Sequence, residues 1–192
     1  MNSLLPKFEI TLPNWLIDFY MENQQSLPDM QDRMRFAIRL SELNIKHRTG
    51  GPFGAAVFDM NTNKPVAPGV NLVVPNNSSV LHAEIVAMIF AQQVVGQFIL
   101  RGANDTDYEL VSSTEPCAMC MGAVPWAGIK RLVCGARDKD ARRIGFDEGA
   151  KLKHWVKALN QRNIQVVKDI CRKEAVSVLN QYKNENGFIY NG

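Results

Sequence analysis

The chain has 192 residues, of which 46% are hydrophobic and 21% are charged. This is the profile of a globular protein with one domain of ordinary size and a sizeable core. The net charge of +3 does not require a nucleic-acid partner, and no apolar run approaches the roughly 20 residues that span a bilayer. The first residues lack the basic start and long apolar stretch of a secretory signal, so we expect a cytoplasmic protein without a membrane partner.

The start of the chain is predicted to pack against the rest. We expect residues 1–192 to form a single domain, with 1–25 as an N-terminal extension, because Trp15 and the residues after it are too apolar for a free tail. A helix with a capped start is predicted to begin near Asp29 and to stop at Gly50.

The residues that follow alternate between strand-like and helix-like spacing. The predicted strands cover residues 54–60, 65–74, 108–113, 130–136 and 164–167. The predicted helices cover residues 82–95, 117–127, 151–159 and 170–182. Strands that alternate with helices indicate an α/β architecture of packed layers.

One region is locally basic, with nine lysines and arginines between Lys130 and Lys157. Acidic residues, including Asp138 and Asp140, interrupt it. We interpret it as a solvated surface of mixed charge, with an RNA-binding face as the alternative.

Two short motifs carry the candidate chemistry. His82 opens the predicted helix over 82–95, and the sequence P-C-A-M-C from Pro116 to Cys120 opens the next helix. Cysteines at i and i+3 point from one face of a helix toward one spot, and the positive helix N-terminus favours their thiolate form. With His82, Cys117 and Cys120 supply three ligands for one Zn²⁺ ion per chain and leave its fourth position open, which is typical of a catalytic zinc.

Glu84 lies two residues after His82 and is not needed as a ligand. Zinc with an open position lowers the pKa of water from about 15.7 toward about 7. Glu84 is well placed to take the proton from that water and to return it to the substrate and the leaving group. A lone C-x-x-C would favour a structural zinc or a redox pair about as well, but the two motifs together favour catalysis.

The remaining cysteines and histidines have simpler interpretations. Cys134 lies in an apolar strand and Cys171 in an amphipathic helix, so both are predicted to be core residues. His47 and His154 lie in basic surroundings and are predicted at the surface.

From Gly51 to Gly149 the chain resembles the cytidine and deoxycytidylate deaminase superfamily. The H-x-E and P-C-x-x-C motifs are typical of its zinc enzymes. Within it, the stretches Gly50 to Ala55, Gly69 to Asn71 and Ile144 to Gly149 are most similar to bacterial guanine deaminases. The resemblance implies a three-layer cytidine-deaminase-like fold, with a five-stranded mixed sheet flanked by helices.

The resemblance also implies the residues that contact the substrate. Asn71 matches an asparagine whose amide holds the ring, and an amide offers the donor and acceptor that suit a lactam edge. The other implied pocket residues are Phe53, Ala83, Trp126, Phe146 and Tyr190. In similar proteins the C-terminal residues cover the site, so either Phe188 or Tyr190 is expected to close it.

A second carboxylate is implied in the stretch that ends at Gly149. Similar guanine deaminases carry an acidic residue there, which contacts the polar edge of the base and assists proton transfer. Glu148 matches that position, and Asp147 is the alternative because it is adjacent.

The activity implied is hydrolysis of a free nucleobase, guanine to xanthine and ammonia, with aminotriazines as possible side substrates and a homodimer as the expected assembly. Three alternatives stay open: a tRNA adenosine deaminase, a cytosine or nucleoside deaminase, and a non-catalytic zinc-binding interaction module. A nucleic-acid partner is not favoured, because tRNA-editing relatives carry different residues where this chain has Ser79 to Leu81 and Asp138 to Ala141.

Overall fold

A computed structural model describes residues 9–191 of the chain. The strands are β1 (Gly54–Asp59), β2 (Pro65–Val70), β3 (Tyr108–Thr114), β4 (Arg131–Ala136) and β5 (Gln165–Val167). The helices are α1 (Asn14–Glu22), α2 (Met30–Lys46), α3 (Ala83–Val95), α4 (Ala118–Ala127), α5 (Asp138–Ile144), α6 (Trp155–Asn160) and α7 (Arg172–Asn184).

The strands form one mixed sheet in the order β2-β1-β3-β4-β5. Strand β1 is antiparallel to both β2 and β3, whereas β3, β4 and β5 run parallel. The predicted five-stranded mixed sheet is therefore confirmed.

Two apolar cores lie on the two faces of the sheet. Successive residues of β3 and β4 alternate between them, with Val111 and Val133 in one core and Leu110 and Leu132 in the other. The first core also contains side chains of α1, α2, α5 and α7, and the second those of α3, α4 and α6. The predicted three-layer α/β fold is confirmed.

The start of α2 follows the sequence prediction. The Asp29 carboxylate accepts a hydrogen bond from the backbone N–H of Gln31 at 2.8 Å and so caps the helix. Ahead of it, α1 packs on the domain through Leu16, which is fully buried, and through Trp15, whose ring stacks on His47 at 5.1 Å. The first eight residues of the predicted extension lie outside the described residues.

Four expectations about local structure need correction. Strand β2 ends at Val70, before the predicted position 74, and the helix predicted from Lys151 begins only at Trp155. Helix α5 was not predicted: its start is capped by Asp140, whose carboxylate accepts from the backbone N–H of Arg137 at 2.9 Å. Cys171 is only partly buried, because it precedes α7 in a left-handed conformation with φ of 47° instead of lying inside the helix. Cys134, in contrast, is fully buried as predicted.

The basic region carries several ion pairs. Arg137 contacts Asp169 at 2.7 Å, and Arg142 contacts Asp138 at 2.7 Å. This pairing favours the interpretation as a surface of mixed charge. Within residues 9–191 no helix combines the length and the apolar character needed to cross a membrane.

Candidate active site

A cavity of about 540 Å³ opens at the carboxyl end of β3, where Thr114 and Glu115 line it. This edge of a parallel sheet is where open α/β folds bind their ligands, and the volume is in the range of small-molecule sites. Its wall contains most of the candidate residues: Phe53, Asn71, His82, Glu84, Cys117, Phe146, Glu148 and Tyr190.

The N-termini of α3 and α4 bring the three candidate zinc ligands together. His82 immediately precedes α3, Cys117 immediately precedes α4, and Cys120 lies in its first turn. Their ligand atoms lie within 4.8 Å of one another, and Cys117 Sγ is 3.5 Å from His82 Nδ1. Two bonds of about 2.3 and 2.1 Å at a tetrahedral zinc would place a sulfur and a nitrogen roughly 3.5 Å apart. The donors present therefore fit Zn²⁺.

Local hydrogen bonds favour the thiolate of Cys117. The pKa of Cys117 falls to about 4, mainly because its sulfur accepts a hydrogen bond from the Cys120 thiol. Burial opposes this shift, whereas His82 and the backbone N–H of Cys120 add to it. Because the Cys120 thiol is the donor in this pair, its own pKa is raised. The N-terminus of α4 thus supplies a preformed anionic sulfur for a cation.

Glu84 is buried in the first turn of α3, beside the ligands. The Ser112 hydroxyl of β3 donates to its Oε1 at 3.3 Å, which orients the carboxyl group. Burial raises the pKa of Glu84, and the nearby Cys117 thiolate raises it further. A buried carboxyl group with a raised pKa is suited to moving protons.

The structure distinguishes the two candidates for the second carboxylate. Glu148 is 6% exposed and lines the cavity, and its carbonyl oxygen accepts from the Ala118 N–H at 2.9 Å. Burial, together with the charges of Cys117 and Glu84, raises the pKa of Glu148 to about 8. The Asp147 side chain is 56% exposed and pairs with Arg142 at 3.0 Å. The geometry therefore favours Glu148 over Asp147.

Asn71 directly follows β2 and is fully enclosed. Its Oδ1 accepts from the Val73 N–H at 3.3 Å, whereas its buried Nδ2 has no acceptor among the described residues. The Asn71 backbone depends on Gly50, since a Cβ there would lie 1.8 Å from the Asn71 carbonyl oxygen. The motif glycine thus permits a close approach of its backbone to that of Asn71, whose side-chain amide donor is free at the cavity.

Three aromatic rings form part of the cavity wall. The centre of the Phe146 ring lies 4.9 Å from that of Phe53 and 5.2 Å from that of Tyr190, and both pairs pack edge to face. The Tyr190 hydroxyl is buried and has no hydrogen-bond partner within residues 9–191. It lies close to Gly51, where an added Cβ would be 2.8 Å away from it. Between the two candidates at the C-terminus, Tyr190 lines the cavity, whereas Phe188 is 67% exposed.

Two predicted pocket residues lie elsewhere. Trp126 is 85% exposed, because it shares the outer face of α4 with Gly122, while Cys120 and Val124 point inward. The expectation that it lines the pocket of its own chain is therefore wrong. Ala83 is fully buried between two lining residues, but it packs on Gly69 and not on the cavity.

The sequence analysis missed several residues that hold the site. Asn44 of α2 donates through Nδ2 to the carbonyl oxygens of Gly51 at 2.8 Å and Asn71 at 3.0 Å. The Asn191 amide accepts from the Asp147 N–H at 2.8 Å and donates to the Gly145 carbonyl at 3.1 Å. Only the polar character of Asn44 within an apolar stripe signals its role in the sequence.

Two cysteines and a histidine around one point, with a glutamate beside them, define a zinc-dependent aminohydrolase. The family model for the cytidine and deoxycytidylate deaminase zinc-binding region matches residues 28–136. The chain therefore belongs to the cytidine and deoxycytidylate deaminase family, with zinc as its cofactor.

The similarity to known proteins covers most of the length of this chain. The guanine deaminase of Bacillus subtilis is 34% identical over 131 residues, which cover 68% of this chain and 80% of that protein. The structure of the guanine deaminase from Nitrosomonas europaea has a TM-score of 0.88 at 38% identity and covers 96% of this chain and 98% of that one. A structure of NE0047 in complex with 2,6-diaminopurine has a TM-score of 0.88 at 40% identity, over 95% of this chain and 96% of that one. The similarity thus extends well beyond the zinc motifs.

Proposed function

We propose that the protein converts guanine and water to xanthine and ammonia. The observation that carries this proposal is a second buried carboxyl group, Glu148, in the same cavity as Glu84 and the free amide donor of Asn71. A ring with adjacent donors and acceptors can use all three groups, and the similarity to two guanine deaminases supports that substrate.

The aromatic wall and Asn71 would bind and orient the base. A planar ring can pack against Phe53 and Phe146, while the Asn71 Nδ2–H donates to the lactam oxygen of guanine. Tyr190 would cover the base and reduce access of bulk water. In this orientation C2, which bears the amine, would face the ligand cluster.

The two carboxyl groups would share the proton transfers. Bound zinc supplies a water that ionises near neutral pH. Glu84 accepts a proton from the attacking water and delivers it to the ring nitrogen beside C2. Glu148, whose pKa is raised to about 8 mainly by burial, carries a proton at neutral pH and can donate it to the departing amine. It would recover a proton from the new C2 hydroxyl as that group becomes the carbonyl of xanthine. The balance is one water consumed and one ammonia released for each base.

A homodimer is part of the proposal. Trp126 is 85% exposed and Phe98 is 85% exposed, and the loop after α3 is tied to the end of α4 by a hydrogen bond from Leu100 to Ala127 at 2.8 Å. Large exposed apolar side chains on adjacent segments are typical of a protein contact surface. We expect Trp126→Ala to shift the protein toward monomer in analytical ultracentrifugation; an unchanged dimer would place the interface elsewhere.

We also propose that residues 1–192 act as one domain in the cytoplasm. A reducing compartment would keep Cys117 and Cys120 available as thiolate ligands.

The test is ammonia release by zinc-loaded protein with guanine, adenine, cytosine, cytidine, guanosine and an aminotriazine. Release from guanine, alone or with the triazine, is the expected result. If another base is deaminated and guanine is not, the zinc chemistry is supported but guanine is excluded as the substrate. Salt-sensitive tRNA binding with inosine formation would support the adenosine deaminase instead, and zinc binding without any ammonia would support an interaction module.

A further inference from the structure

Lys151 is a buried lysine three residues after Glu148. Its side chain is 8% exposed, and its Nζ lies 3.8 Å from Glu115 Oε2 and 3.7 Å from Asp138 Oδ1. The same Nζ lies 5.1 Å from the centre of the Trp155 ring. A lysine is rarely buried so deeply unless opposite charges and an aromatic face hold it.

The partners of Lys151 stand at the carboxyl ends of two parallel strands. Glu115 directly follows β3, is 5% exposed and lines the cavity, and Asp138 begins α5 just after β4. Glu115 and Asp138 are themselves linked, because the Asp138 N–H donates to Glu115 Oε2 at 3.2 Å. The buried Nζ has no hydrogen-bond partner within residues 9–191, so these two ion pairs are what link the Lys151 segment to the edge of the sheet where the cavity lies.

The segment between Phe146 and Lys151 carries Glu148 into the cavity. Its other anchors are hydrogen bonds of its backbone: Arg142 donates to the Gly149 carbonyl at 2.8 Å, the Ala118 N–H donates to the Glu148 carbonyl, and the Asp147 N–H donates to Asn191 Oδ1 at 2.8 Å. No hydrogen bond from the protein holds the Glu148 carboxyl group itself among the contacts of the described chain. Its position thus depends on how firmly the segment is held at both ends.

We propose that Lys151 is a positioning residue that holds the Glu148 segment against Glu115 and Asp138, and so keeps the Glu148 carboxyl group at the substrate. This inference rests on the proposed function for its kinetic consequence. Its charge also acts on Glu148 directly, since Lys151 opposes the rise in the pKa of Glu148 that burial causes.

Lys168 offers a matched control. Its Nζ lies 3.0 Å from Glu115 Oε1 and 5.6 Å from the centre of the Trp155 ring, but it follows β5 and is not part of the Glu148 segment. If the buried lysine only neutralised Glu115, then Lys151→Met and Lys168→Met would have the same effect. If Lys151 holds the segment, only its replacement would disturb Glu148.

The experiment compares zinc-loaded wild type, Lys151→Met, Lys168→Met, Glu148→Gln and the double variant Lys151→Met/Glu148→Gln. We expect Lys151→Met to keep one zinc per chain and to lower kcat for guanine by about 10-fold to 10²-fold with a smaller change in KM. The double variant should be no slower than Glu148→Gln alone, because both changes remove the same positioned group. Losses that multiply, or an equal loss in Lys168→Met, would overturn the proposal.

Hydrogen–deuterium exchange gives a readout that does not depend on the substrate. Exchange at residues 146–150 should rise in Lys151→Met and stay as in wild type in Lys168→Met. Unchanged exchange in Lys151→Met would overturn the positioning role even if guanine is turned over. A wild type that does not deaminate guanine would remove the proposed function but leave this result interpretable. Lys151→Gln, which keeps a polar donor, serves in the same comparison if Lys151→Met does not fold.

Discussion

Two ends of the central sheet bury glutamates of very different kinds. At the amino end of β3, Glu109 is 1% exposed and receives the guanidinium groups of Arg33 and Arg131. Arg33 also donates to the carbonyl oxygens of Leu27 at 2.6 Å and Pro28 at 2.8 Å. At the carboxyl end, the cavity holds Glu84 and Glu148, neither of which pairs with an arginine in the described chain.

The difference shows that the role of a buried carboxylate depends on whether neighbouring cations compensate its charge. Two guanidinium groups compensate the charge of Glu109, so it can link the start of β3 to β4 and α2. Glu148 is about equally buried but lacks this compensation, and the pKa of its carboxyl group is raised to about 8. Burial alone therefore does not separate a structural acid from a catalytic one.

The largest effect is expected at Glu84. Glu84→Gln should lower kcat for guanine by about 10²-fold to 10⁴-fold, because the side chain keeps its shape but cannot accept a proton. Steady-state ammonia release measures the rate, and metal analysis should still find one zinc per chain. Unchanged turnover with zinc bound would exclude Glu84 as the proton carrier.

At the other end of the sheet the loss should be one of stability. Glu109→Gln leaves Arg33 and Arg131 without their shared carboxylate, and should lower the free energy of unfolding by about 3 kcal/mol. Urea unfolding followed by circular dichroism measures this loss. The rate per folded molecule should stay near that of wild type; a selective loss of kcat would contradict the purely structural role.

Replacement of Glu148 should lower the rate of deamination and raise the stability of the fold. Glu148→Gln should lower kcat/KM for guanine by about 10-fold or more, since it removes one of two proton carriers. The folded state raises the pKa of Glu148, so wild type loses stability as pH rises from about 4.5, where an unfolded glutamate ionises, to about 8.

The glutamine variant cannot ionise, and should therefore be the more stable protein at pH 8 and gain less, or nothing, at pH 5. Melting temperatures across this pH range, recorded beside the pH profile of kcat/KM, check both effects. Parallel stability curves for the two proteins would show that Glu148 does not titrate as its burial requires.

The smallest effect is expected at Asp147. Asp147→Asn should change kcat/KM by less than about 3-fold, because an exposed ion pair such as that with Arg142 contributes little. The same ammonia assay compares it with Glu148→Gln. A larger loss in Asp147→Asn than in Glu148→Gln would reverse the choice between the two residues.

The sequence by itself determined the zinc site. His82, Cys117 and Cys120 were predicted as its ligands because each motif is short and ligand chemistry depends on residue type, and the structure brings their ligand atoms within 4.8 Å of one another. Glu84 comes from the same H-x-E motif, and its role as proton carrier stays a prediction. The mixed sheet and its layers also followed from apolar periodicity and from the resemblance, since strand and helix repeats are visible along the chain.

Only the tertiary structure distinguished the two adjacent acids, because both line the cavity but the Asp147 side chain is 56% exposed and paired with Arg142, whereas Glu148 is buried. It also corrected the prediction for Trp126, because the packing of α4 leaves that side chain exposed and away from the cavity. The partners of Asn44 and Asn191 could not be predicted, since two of them lie 27 and 46 residues away along the chain. Such pairings depend on the docking of distant elements, and no local pattern in the sequence encodes that docking.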